Sequence, residues 1–391
     1  MHRLMIGAAA IAALLLGARA EAAGTVKIGV ILSYTGQFAD AATQMDNAIK
    51  LYVKQHGDTV AGKKIEFIRK DTGGIAPDIA KRFAQELIVR DHADILAGFA
   101  LTPNALAAGD VSAEAKKFMV VMNAATSIIT TKSPYMARTS TTTPMLNETL
   151  GIWAYKSGLR KIYTMVSDYG PGQDAEQAFH TGFKNAGGEI IGAVRFPVAN
   201  PDFSAFIQRA KDMNPEAIYI WIPGGAQPAA VGKALAERGI DLKKTKILGQ
   251  DALADESALK SMGDLSIGII TVSNYDYTHD SAMNREFVKA YNAEFHRNPD
   301  FFSAGAYDGM HLIYAALQKT GGKTDGQALI DASKGMKWES PRGPMMIDPE
   351  TRDVIENVYI RRVEKVGGKL QNVEFDKVEN VKDPVKARMK K

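Results

Sequence analysis

A short, nearly uninterrupted apolar run at Val26–Leu32 (VKIGVIL) is followed by Ala42–Gln55, where Met45, Ala48, Ile49 and Tyr52 fall on one helical face. An apolar run too short for a helix suits a strand buried on both faces. The pair then recurs. Lys64–Arg69, the helical stripe through Ile79, Phe83, Leu87 and Ile88, Ile95–Ala97, a helix from Pro103 and Met119–Met122 continue the alternation. A second series begins near Thr143, with helical spacing over Met145–Lys156, a strand at Lys161–Val166, a helix near Asp174–Ala186 and a strand at Glu189–Phe196. Ala217–Trp221, Lys246–Leu248 and Gly268–Val272 read as further strands, Asn284–His296 and Ser303–Gln318 as helices, and the segments MMID and VIENVYIRRV in the stretch from Gly343 as strand-like. Repeated β-α-β units bury their apolar faces as parallel sheets covered by helices. The expected fold class is therefore α/β, with two similar lobes. Thr139–Thr143 is polar and β-branched and reads as a hinge; Tyr275–Thr278 and Ser340–Gly343 are candidate further crossings. A length of 391 residues fits about two domains.

The first residues carry Arg3, an apolar stretch from Leu4 to Ala18, and small residues at Ala18, Ala20 and Ala22. This is the three-part pattern of a secretory signal peptide, expected to end at Ala20 or Ala22. The mature chain is expected in the periplasm. There are no cysteines, so disulfides, thiolate metal sites and a lipid-anchored N-terminus are excluded. A net charge of +4 with scattered basic residues does not suggest nucleic acid as a partner. The basic end, residues 381–391, reads as a solvated tail.

The sequence lacks a GxSxG elbow, a phosphate-binding Walker loop, a GxGxxG fingerprint and an HExxH pair. The expectation is a protein that is not an enzyme, with no catalytic residue, no metal ligand and no cofactor. What the chain does offer sits after strands, where open α/β sheets bind ligands. In Gly98–Asn104 (GFALTPN), Thr102 reads as a helix N-cap with Pro103 behind it, so the helix start can offer N–H groups to an anion. Asn123–Ser127 (NAATS) combines small residues with the Asn123 amide and the Thr126 hydroxyl. Tyr169 in SDYGPG offers a ring and a hydroxyl, and Asp251 in GQD an acceptor. Ordinary capping or a polar turn also accounts for each segment taken alone.

Together, the export signal, the VKIGVILSYTGQF opening, GFALTPNA, MNAATS, VSDYGPG and SAGAYDGMHLIYAAL resemble the leucine/isoleucine/valine-binding protein family, over about Thr25 to Val363. These are type I periplasmic binding proteins of ATP-driven importers. The resemblance implies two Rossmann-like lobes with a multi-crossing hinge, residues 24–142 plus 276–342 and residues 143–275 plus 343–380, closing on a ligand. It places Ala100, Leu101 and Thr102 against a ligand carboxylate. The NAAT segment, with Ala125 at its centre, would offer the Ala124 carbonyl and the Thr126 hydroxyl and N–H. Tyr169 matches the aromatic residue of the second lobe, Phe38 would line the side-chain pocket, and Pro223 lies in the IPGG segment at the cleft. Asp251 stands where the family's ammonium-binding acid, usually a glutamate, is found. The implied ligand is a branched-chain or other hydrophobic amino acid. The alternatives are a benzoate- or hydroxybenzoate-like aromatic carboxylate, which NAATS, SDYGPG and KGMKWESPRG resemble more closely, and a ligand-sensing role. The implied partner is an inner-membrane permease, and the protein itself is expected to be a monomer.

Overall fold

A computed structural model describes residues 24–225 and 227–389. The expected signal peptide, residues 1–22, and the last two residues of the tail lie outside the described residues.

The first lobe alternates β1 (Thr25–Leu32), α1 (Ala39–His56), β2 (Thr59–Val60), β3 (Lys63–Asp71), α2 (Pro77–Val89), β4 (Ile95–Gly98), α3 (Thr102–Ala115), β5 (Phe118–Val121) and β6 (Met136–Arg138). Its strands form one sheet in the order β2-β3-β1-β4-β5-β6. Only the β2–β3 pairing is antiparallel. From Ile28 to Leu32 β1 is apolar because both its faces are covered there. Val26, Ile28, Val30 and Leu32 join the core cluster under α1. Ile31 turns the other way, into the cluster that holds Ala80, Ala84 and Leu87 of α2.

The chain then passes into a second lobe of α4 (Thr143–Lys156), β7 (Lys161–Ser167), α5 (Gly170–Ala186), β8 (Glu189–Phe196), α6 (Phe203–Asp212), β9 (Ala217–Trp221), α7 (Gln227–Glu237), β10 (Lys246–Gln250), α8 (Glu256–Met262) and β11 (Ile270–Ser273). It returns to the first lobe for α9 (Ala282–Phe295), α10 (Phe301–Lys319) and α11 (Gly326–Ser333). It closes with β12 (Lys337–Ser340), β13 (Gly343–Ile347), β14 (Val354–Val366), β15 (Lys369–Val381) and α12 (Pro384–Met389). The second sheet runs β12-β13-β14-β11-β10-β9-β7-β8, with β15 also paired to β14. It is parallel from β8 to β11 and antiparallel beyond. β12 lies within the segment expected in the first lobe, yet it pairs with β13.

A buried ionic group joins the three crossings. Arg342, before β13, pairs with Asp308 at 2.8 Å and Glu356 at 3.2 Å and donates to the Thr139 carbonyl. Asn274, after β11, donates to the same Glu356 at 3.1 Å.

The C-terminus departs from expectation twice. KLQNVEFDKVENV is too charged to read as a core strand, but it pairs along β14 as a mostly exposed edge. Pro384–Met389 of the basic end form a helix anchored to the protein instead of a solvated tail. Lys386 is buried and ion-paired with Asp353 at 2.6 Å, and Arg388 pairs with Glu148 at 2.7 Å. These partners lie far away in sequence, so the positive charges read as surface when seen alone.

Candidate functional site

The C-terminal ends of β4 and β5 in one lobe and of β7, β9 and β10 in the other converge on a cavity of about 80 Å³. The residues singled out in the sequence line it, with the exception of Thr126.

The loop after β4 is fixed by its backbone. Gly98 has φ of 104°, and a Cβ there would stand 2.7 Å from the Ile31 carbonyl oxygen. Phe99 takes φ of 62°, unusual for a bulky residue, while its N–H donates to the same oxygen at 2.9 Å. This turn delivers Ala100, Leu101 and Thr102 to the cavity. Thr102 is not the N-cap expected from sequence. Leu101 takes that position, and Thr102 is the first residue of α3. The Thr102 hydroxyl pairs instead with that of Thr126, 3.1 Å away, rather than with the first-turn amides. Those amides lack partners within the helix, and the helix dipole favours an anion in front of them.

The loop after β5 is held from behind. Asn123 donates to the Ala100 carbonyl at 2.8 Å, and the Ala124 N–H to the Phe99 carbonyl at 2.9 Å. Arg138 is fully buried and donates to the carbonyls of Ala124 at 3.2 Å and Thr126 at 2.8 Å. The Thr143 N–H donates to the Ala125 carbonyl at 2.7 Å. The Ala124 carbonyl, expected to be offered to the ligand, already accepts from Arg138. Thr126 does not line the cavity; its hydroxyl meets that of Thr102, which does.

The second lobe supplies the rings and the acid. Tyr169 precedes α5 in extended conformation, with its ring 5.8 Å from that of Trp221; burial pushes its hydroxyl pKa well up. Trp221 donates to the side-chain oxygen of Gln250 at 2.9 Å, and Asn147 donates to the same atom at 2.7 Å. Phe38 and Phe302 from the first lobe, and Pro223 from the second, complete the apolar wall. Trp221, Gln250 and Phe302 were missed in the sequence. Trp221 directly precedes the IPGG segment and Gln250 lies within GQD, and a ring before a Pro-Gly turn at a strand end was the available signal.

Asp251 is 1% exposed. Its Oδ1 accepts from the Ala252 N–H at 2.8 Å and from Gln250 Nε2 at 3.3 Å. Its Oδ2 is buried and has no hydrogen-bond partner among the described residues. Burial pushes its pKa up to about 6 against the opposing charge of Arg361, which is itself ion-paired to Asp276 at 2.9 Å. Among the described residues, Asp251 is the only carboxylate in the cavity wall, and no lysine or arginine lines it. The site can thus receive an anion at amide and hydroxyl donors, hold a flat apolar body between rings, and accept a proton donor at one carboxylate oxygen.

A sequence profile described as periplasmic binding protein matches residues 25–369. The chain is 40% identical over 383 residues to the Leu/Ile/Val-binding protein homolog 6 of Brucella melitensis, covering 97% of this chain and 98% of that one. A solute-binding protein of an ABC transporter from Rhodopseudomonas palustris BisB5, solved with 3,4-dihydroxybenzoic acid, is 52% identical with a TM-score of 0.89. That match covers 93% of this chain and 99% of the other. A solute-binding protein from Rhodopseudomonas palustris HaA2, solved with p-hydroxybenzoic acid, is 39% identical with a TM-score of 0.90, covering 93% and 100%. No helix among the described residues is long and apolar enough to cross a membrane.

Proposed function

This chain belongs to the periplasmic binding protein family, and we propose that it carries a hydroxylated benzoate to the permease of an ATP-binding-cassette importer. The observation that carries the reading is Asp251, the acid in the wall of a cavity lined by rings, whose Oδ2 has no hydrogen-bond partner among the described residues. An α-ammonium brings three N–H donors, and each needs a buried acceptor. The loop carbonyls of Ala100, Ala124 and Ala125 are all engaged by protein donors. A ring hydroxyl brings one donor, which Asp251 Oδ2 can accept. The aromatic acids bound by the Rhodopseudomonas proteins support the same class.

In this reading the carboxylate sits before α3, near Thr102, and the ring lies between the walls of Tyr169, Trp221 and Phe38. The hydroxyl points to Asp251. Ligand contacts from both lobes favour the closed form, because only that form makes them all. The protein works as an exported monomeric carrier in the periplasm and transforms nothing. The Brucella relatives, named for leucine, isoleucine and valine, keep a second reading in view, in which Asp251 receives an ammonium group. Mass spectrometry of the small molecule released when the purified protein is denatured tests the choice. A hydroxybenzoate supports the proposal; a branched-chain amino acid overturns it.

A further inference from the structure

We infer that Lys386, on the C-terminal helix, is a positioning residue for the ligand-facing loop 123–127, acting through Asp353 and Arg138. The inference rests on the proposed use of that loop and adds a role for the far end of the chain. The contacts run without a break. Arg138 Nη1 donates to the carbonyls of Ala124 and Thr126, and Ala124 lines the cavity. The other edge of the same guanidinium meets Asp353 Oδ1, with Nη2 at 2.6 Å and Nε at 3.1 Å. Asp353 Oδ2 accepts from Lys386 Nζ at 2.6 Å. Lys386 Nζ also donates to the Thr130 hydroxyl, just beyond the loop. Arg138, Asp353 and Lys386 are all buried, with Arg138 and Asp353 at 0% and 1% exposure.

The placement has a physical consequence. A guanidinium presents a rigid fork, so the Asp353 carboxylate sets the direction in which Arg138 points its remaining donors. Those donors hold the carbonyls of Ala124 and Thr126. Asp353 is itself kept in place by Lys386. α12 also covers this side of the loop, where Val385 and Met389 share a surface groove with Ser127, Ile128 and Asp174. Without the Lys386 charge, Asp353 Oδ2 is left buried without a partner. The carboxylate then turns or admits water, and the fork it aims turns with it.

The test compares wild type with Lys386→Met and Lys386→Arg. The first readout is amide hydrogen exchange of peptides spanning 122–130 and β1 in the ligand-free protein. The second is calorimetric affinity for 4-hydroxybenzoate. Lys386→Met should speed exchange in 122–130 about tenfold while β1 keeps its protection, and should raise Kd about tenfold. Lys386→Arg should restore both. Unchanged exchange in 122–130 would overturn the inference, and so would equal loss of protection in β1, which marks a merely structural staple. If Lys386→Met does not fold, Lys386→Gln takes its place with the same expectations. If wild type does not bind 4-hydroxybenzoate, the ligand proposal fails, and the exchange comparison still decides the role of Lys386.

Discussion

Trp221 donates its indole N–H to the side-chain oxygen of Gln250 at 2.9 Å, and this bond orients the chemistry of the neighbouring acid. With the oxygen side of the amide held, Gln250 Nε2 faces Asp251 Oδ1 at 3.3 Å. Oδ1 also accepts from the Ala252 N–H. Both local donors are therefore spent on one oxygen, and Oδ2 is left without a hydrogen-bond partner among the described residues.

Asp251 and Thr102 should separate the two ends of the ligand. A hydrogen bond to a charged acceptor contributes about 1.5–3 kcal/mol, or roughly tenfold to a hundredfold in affinity. Asp251→Ala should weaken 4-hydroxybenzoate by about that factor and leave benzoate nearly unchanged. Thr102→Val should weaken both alike, because both carry the carboxylate. Calorimetric titration of the two variants with the two ligands checks this; equal losses for both ligands in Asp251→Ala would place the hydroxyl elsewhere.

The pH dependence has a defined sign. The Asp251 pKa stands at about 6 in the folded protein and 3.8 as the ordinary value. The folded state thus holds a proton that the unfolded chain has lost, and ligand-free stability falls as pH rises from about 4 to 6, by up to ~3 kcal/mol. Affinity for 4-hydroxybenzoate should move the other way, rising through the same window as the anionic acceptor forms. Asp255 also rises to about 6, so the informative quantity is wild type minus Asp251→Asn. Thermal melts and titrations at pH 4.5 to 7.5 should show both slopes reduced in the variant.

Asp353 gives the opposite sign. Burial alone would raise its pKa, but Arg138 and Lys386 hold it below the ordinary carboxylate range. Its stabilisation is present above the unfolded value and is lost as pH falls through the folded one. Asp353→Asn leaves two buried cations without a counter-ion and should cost about 3–5 kcal/mol near neutral pH. The gap to wild type should narrow below about pH 4. Denaturant melts at pH 7 and pH 3.5 measure it, and a gap that stays constant would contradict the triad.

The alternation of strands and helices was legible because β5, β9 and the Ile28–Leu32 part of β1 are apolar on both faces, and their following loops could be placed at the sheet ends. Tyr169 and Asp251 were found because they occupy such ends. Arg138, Asp353 and Lys386 were not. An isolated charge in sequence reads as solvated, and Arg138 and Asp353 meet only after 215 intervening steps along the chain. β15 was hidden for a related reason: an exposed edge strand carries no apolar pattern to read. Thr102 was misplaced by one residue because its hydroxyl has a tertiary partner, Thr126, that local capping rules do not contain.

The central claim is tested most directly by calorimetric titration of the refolded, ligand-free protein with one panel: 4-hydroxybenzoate, 3,4-dihydroxybenzoate, benzoate, leucine, isoleucine and valine. The two hydroxylated benzoates should bind, benzoate should bind more weakly by about tenfold or more, and the three amino acids should give no heat. Saturable binding of leucine, isoleucine or valine with silence from every benzoate would contradict the account.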